Sequence, residues 1–198
     1  MASAQTDKLT IADSGSSRGS SLYLPLGLDQ TRFLVIDPAS SLDEEINCQL
    51  VAMGLEDEAV ASYEALSYTW DAEKFSCNIF IFNSLVKVSQ NLYEALRHLR
   101  DKKEKRALWV DALCINQQDV KERSSQVLLM GRIYSAVRRV VIWLGTEQDG
   151  DLQLPMLSKR IEAGSELPPE QTKMVARALF GRRWWYRSWI VQEFLMAR

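Results

Sequence analysis

The chain of 198 residues carries 24 lysines and arginines against 26 aspartates and glutamates, and is 46% hydrophobic and 25% charged. That composition suits one globular domain with or without an arm. A formal net charge of -2 supplies no positive field for tracking nucleic acid or an anionic bilayer. No apolar run approaches the roughly 18 residues of a membrane span, and the N-terminus lacks the basic-then-apolar pattern of a secretory signal. The expected setting is therefore the cytoplasm, with neither nucleic acid nor membrane as partner.

Residues 1–20, rich in Ser, Gly, Ala and Asp, cannot bury enough apolar surface to offset ordering entropy and read as a flexible leader; the folded domain is expected over 21–198. Tyr23 to Leu26 and Arg32 to Ile36 predict an extended N-terminal strand, and Ile46, Cys48 and Leu50 alternate like a second. Both are expected at a sheet edge. Ala65 to Trp70 is β-prone, and Cys77 to Phe82 with Leu85 to Val88 predict a hairpin about Asn83-Ser84. Ser89 or Asn91 can cap the following helix, whose stripe is Leu92, Ala95, Leu96 and Leu99.

The charged stretch from Asp101 to Arg106 reads as a solvated helix end and loop. Ala107 to Leu113 is almost continuously apolar with one acid, Asp111, as in a strand buried on both faces. Asp119 opens a helix bearing Val127, Met130, Tyr134 and Val137, and Val140 to Leu144 forms another buried strand before Gly145. Weak helical signals follow over 152–163. Pro168-Pro169 predicts a helix through Ala178 that Gly181 ends, and a last short helix starts near Ser188. Strands alternating with helices predict an α/β fold: an open, mainly parallel sheet flanked by helices, with an added N-terminal β element and hairpin.

The cysteines Cys48, Cys77 and Cys114 are odd in number, widely spaced and without metal-ligand pattern. Each is expected to be a reduced, packed thiol. A single histidine, His98, in an Arg/Leu helical context, leaves little for metal or histidine-base chemistry. Fingerprints of dinucleotide, phosphate-loop, serine-hydrolase and zinc-protease sites are all missing.

In open α/β sheets, ligands gather beyond the carboxyl ends of strands. Tyr68 and Trp70, then Asp111 and Asn116, are delivered to that edge. For Asp111 a turn or helix cap is the competing role, and for Asn116 a loop that caps the next helix. Arg182 and Arg183 supply cationic forks beside Trp184, Trp185 and Trp189. Ile190, Glu193, Phe194 and Ala197 share one helical face, which places a carboxylate in an apolar stripe. Glu193 then needs a cation such as Arg123, Arg183 or Arg187, or its pKa rises.

Three segments together resemble the fungal HET (heterokaryon incompatibility) domain over about residues 22–198. They are Tyr63 to Trp70; Leu108 to Gln117 with Glu122-Arg123-Ser124; and Arg187-Ser188-Trp189-Ile190-Val191-Gln192-Glu193. Asp71 stands where the family usually has Gly. The resemblance implies a role in fungal non-self recognition and programmed cell death, and a remote kinship to TIR domains, which have a flavodoxin-like fold. Many TIR domains hydrolyse NAD with a Glu placed as Glu193 is, four residues beyond the Trp of a Ser-Trp pair. It therefore implies Glu193 as the catalytic carboxylate, with Tyr68, Trp70, Asp111, Asn116, Arg182, Arg183 and Trp189 binding substrate. NAD is then a substrate, and no separate cofactor is required. Self-association and an upstream receptor or adaptor are expected partners. A non-enzymatic signalling module and a nucleotide sensor without turnover are the alternatives. A doubly wound sheet would be expected to add strands after Arg198, so the chain reads either as a short form or as a domain cut from a longer protein.

Overall fold

The computed structural model describes residues 22–70, 76–146 and 167–187. Seven strands form one sheet: β1 (Gln30–Ile36), β2 (Asn47–Gly54), β3 (Glu64–Tyr68), β4 (Cys77–Ile81), β5 (Ser84–Val88), β6 (Arg106–Trp109) and β7 (Arg139–Trp143), in the order β5-β4-β2-β1-β6-β3-β7. The α/β class is as expected. The sheet, however, is mixed: β3 runs parallel to β6 and β7, and β2 to β4, whereas β1 is antiparallel to both β2 and β6, and β4 to β5. The expectation of a mainly parallel sheet is corrected by β1, which lies centrally instead of at an edge. The reason is legible in its burial: Thr31 to Ile36 are all buried, so both faces of β1 are covered, as befits a nearly continuous apolar run.

The hairpin joining β4 to β5 turns on Phe82 and Asn83, at φ 50° and 63°, with Ile81 opposite Ser84. Two left-handed central residues fit the right-handed twist of the flanking strands. The turn is one residue earlier than expected.

Four α-helices are described: α1 (Gln90–Leu99), α2 (Asp111–Cys114), α3 (Val120–Ala136) and α4 (Pro169–Phe180). Ser89 caps α1 by accepting from the Leu92 N–H at 3.3 Å, and Leu92, Ala95 and Leu96 are its buried stripe. Asp119 caps α3 by accepting from the N–H groups of Lys121 and Glu122, satisfying donors that a helix start leaves unpaired. At the end of α4, a Cβ on Gly181 would sit 2.7 Å from the Arg177 carbonyl oxygen. Glycine is there for close approach, since its φ of -73° is open to any residue.

Polar groups pin α3 to β1. Trp109 donates to the Thr31 hydroxyl (2.9 Å), which donates to Gln126 (2.7 Å), whose amide reaches the Gln30 carbonyl (2.7 Å). Next to this network, Arg32 meets Glu122 in a two-pronged pair at 2.6 and 3.1 Å, and also donates to the carbonyls of Cys114 and Leu24. Their side chains are 3% and 11% exposed, and such a buried pair is tolerable only because its remaining lone pairs and protons are satisfied. Cys48 and Cys114 are buried free thiols, each pushed up to about 12 by that burial. Cys77 is free but half-buried, 2.8 Å from Gln90. No described helix is long and apolar enough to cross a membrane.

Candidate functional site

The parallel strands β6, β3 and β7 all point their carboxyl ends the same way. Tyr68 is the last residue of β3, Trp70 lies two residues beyond, and Asp111 opens α2 two residues after Trp109 ends β6. Strand polarity alone therefore gathers an aromatic pair and a carboxylate at one edge.

The side chains meet there. The Trp70 indole N–H donates to Asp111 Oδ2 at 2.9 Å, and the Ala112 N–H donates to Oδ1 at 2.7 Å. Tyr68, buried to 2% exposure, hydrogen-bonds Asp111 through its hydroxyl. Burial first, then the Asp111 charge and that hydrogen bond, hold the Tyr68 pKa well above the usual tyrosine range, against the lowering effect of nearby Arg187. Tyr68 is thus a neutral donor to a fixed carboxylate. Trp70 is 48% exposed, so one face of its ring is accessible for stacking.

Ser67, buried on β3, ties in the third segment. Its hydroxyl accepts from Trp184 Nε1 at 2.6 Å and from the Arg187 guanidinium at 3.1 Å. Trp184 is itself buried, within a short 3-10 turn (Arg183–Tyr186). On the other side, Asn91 of α1 bridges two strand ends: it donates to the Thr69 carbonyl (2.8 Å) and accepts from Trp143 Nε1 (2.9 Å). Trp143 is therefore half-buried and tied to a helix, where strand core was expected. His98 stacks beside it, ring centres 5.3 Å apart, and is itself exposed.

The other sequence candidates have different surroundings. Asn116 accepts from the Gln118 N–H at 3.2 Å and donates its own N–H to Glu122 at 2.7 Å, which makes it a loop and capping residue beside the Arg32 pair. Arg182 is buried and donates to the carbonyls of Ala178 and Thr146, both at 3.1 Å, so it straps the end of α4 to the loop after β7. Arg183 is exposed. Glu193 and Trp189, with Asp71 and Ser188, lie outside the described residues. Sequence reasoning passed over Ser67 and Asn91 as site residues, and it considered Arg187 only as an ion-pair partner for Glu193.

Chemically, the edge presents an acceptor carboxylate held by three donors, an accessible indole face and an arginine next to the tyrosine. These are groups for ribose hydroxyls, a flat ring and an anion. Among the described residues no group of three or more His, Cys, Asp or Glu side chains could hold a metal ion.

The three segments that converge here also carry the chain's relationships. Residues 63–193 match the family model described as heterokaryon incompatibility protein (HET). Heterokaryon incompatibility protein 6, OR allele, of Neurospora crassa is 33% identical over 160 residues, which cover 74% of this chain and 23% of that relative. No solved structure matches the chain. The present chain thus spans under a quarter of its relative's length, and the match falls on the segments that build the Tyr68, Asp111 and Arg187 cluster; it belongs to the heterokaryon incompatibility (HET) domain family.

Proposed function

We propose that this domain is a cell-death effector of fungal heterokaryon incompatibility and that it acts by hydrolysing NAD, or a closely related nucleotide, at the carboxyl edge of the sheet. The observation that supports this reading is the convergence of Tyr68, Trp70, Asp111 and Arg187 where β3 and β6 end, the place at which open α/β sheets collect ligands. In the reaction a water oxygen bonds to the ribose C1′ as the bond to nicotinamide breaks. Nicotinamide leaves as a neutral molecule, and the water's proton passes to solvent or a carboxylate. The transition state is cationic at the sugar, so a carboxylate beside it lowers the barrier.

Glu193 is the proposed carboxylate, following the family resemblance. Trp70 stacks on a ring, Asp111 holds ribose hydroxyls, and Arg187 with Arg183 meets the pyrophosphate. The domain works in the cytoplasm, self-associates when active, and answers to an upstream receptor or adaptor.

Purified protein incubated with NAD, alone and under forced self-association, should release nicotinamide. Glu193→Gln should abolish release while leaving the circular dichroism spectrum unchanged. Death of fungal cells that persists with Glu193→Gln overturns the catalytic reading. A second reading, a non-enzymatic docking module, draws on Phe180 and Tyr186, which are 58% and 80% exposed around Trp185. Such surfaces resemble interface hot spots. It requires killing to survive Glu193→Gln and to fail in a Phe180→Ser, Tyr186→Ser double variant.

A further inference from the structure

At the opposite edge of the sheet, where β3, β6 and β7 begin, Arg100, Lys105, Arg106 and Arg139 line a cleft of about 240 Å3 together with Asp101 and Glu104. On the lining itself four cations face two acids. Asp101 is turned toward its own loop, where Oδ1 accepts from the N–H groups of Lys103 (2.7 Å) and Glu104 (3.1 Å).

Two carboxylates at the margin, Glu64 and Asp37, bring the count to four acids against four cations, so the cleft offers fixed, oriented donors and not a net positive field. Glu64, 8% exposed, shares its oxygens between Arg106 Nε at 2.6 Å and Arg139 Nε, and Asp37 holds Lys105 at 3.0 Å. Arg106 also donates Nη1 to the Leu99 carbonyl at 2.7 Å. Among the described residues, Arg106 Nη2 and both terminal nitrogens of Arg139 are left without a partner. The Arg100 Nε is buried and likewise unpaired. Guanidinium forks already oriented by a carboxylate can receive an anion without losing further side-chain freedom. The volume falls below the roughly 300 Å3 at which sites for drug-sized ligands begin, which favours a compact anion over a whole dinucleotide. β3 has five residues, so at about 3.3 Å per residue this cleft lies roughly 13 Å from the Tyr68 edge.

We propose that the cleft is a second ligand site, which binds the phosphate groups of a small soluble phosphorylated compound. The test is isothermal titration of the full chain with pyrophosphate at constant ionic strength. A saturable site is expected that persists in Arg183→Gln, a variant that weakens any pyrophosphate binding by Arg183 and Arg187 at the other edge. Arg139→Gln and Lys105→Gln, whose side chains are 58% and 47% exposed, should together weaken it by about tenfold or more, a loss of about 1.4 kcal/mol. Lys105→Gln alone, which leaves the Glu64 pair intact, should give a smaller loss in the same direction. Lys121→Gln, an exposed cation outside both edges, should leave pyrophosphate affinity unchanged. Absence of saturation up to millimolar pyrophosphate overturns the site, as does unchanged affinity in a folded double variant or loss of the site in Arg183→Gln.

Discussion

Asp111 receives three donors: the Trp70 indole, the Ala112 N–H and the Tyr68 hydroxyl. A carboxylate has acceptor capacity for all three, but an asparagine has one acceptor oxygen and an NH2 that can only donate. Asp111→Asn is therefore nearly isosteric and still wrong, because it sets a donor against a donor. The expected cost is about 1–3 kcal/mol, read as a lowered urea midpoint with unchanged slope; an unchanged midpoint removes Asp111 from its organising role. Tyr68 adds a pH signature. Its folded pKa is raised above the ordinary 10.0, so its contribution is fully present below pH 10 and falls as pH rises toward the folded value. Tyr68→Phe should flatten that alkaline loss. Tyr68 and Trp70 were legible in the sequence because they close a β-prone run; Asp111 was expected inside a strand over Ala107 to Leu113, but β6 ends at Trp109 and Asp111 opens α2. Ser67 was not legible, since every residue of β3 is buried and alternation along the strand singles out none of them. Asn91 was legible only as a cap; once Ser89 takes that place, Asn91 is available to join the ends of β3 and β7.

At the scale of elements, boundaries followed local chemistry wherever a cap or turn residue set them. Asp119 and Pro169 mark the starts of α3 and α4, and both starts were visible. Neighbour relations were less visible. An apolar run such as Phe33 to Ile36 announces burial but not direction, and β1 is antiparallel to β6 although β6 is parallel to β3. The hairpin carries the prediction at this scale. Phe82, 52% exposed, occupies a left-handed conformation at φ 50°, which costs a side-chain-bearing residue about 1 kcal/mol or more. Replacing Phe82-Asn83 by Asn-Gly supplies residues suited to both left-handed positions and removes an exposed ring. The expected gain is about 0.5–1 kcal/mol, seen as a rise in thermal midpoint. A fall would mean that the Phe82 ring is held by a contact worth more than the backbone strain.

For the whole molecule, the decisive arrangement is that one sheet carries two chemically different edges, and Glu64 organises the one away from Tyr68. From the first position of β3 it reaches Arg106 of β6 and Arg139 of β7, so a single carboxylate joins the three parallel strands at their starts. Glu64→Gln keeps the volume and removes the charge, leaving two guanidiniums facing each other. Breaking a fully buried pair costs about 3–5 kcal/mol. Here Arg106 and Arg139 are 24% and 58% exposed, and water screens both, so about 1–2 kcal/mol is expected. Because repulsion between the arginines is the agent, 1 M NaCl should recover part of the loss in the variant while changing the parent protein less. The candidate edge at Tyr68 should be indifferent, with Trp70 fluorescence in the folded variant matching the parent. If Trp70 emission shifts as well, the sheet transmits strain along β3, and the two edges act as one coupled unit.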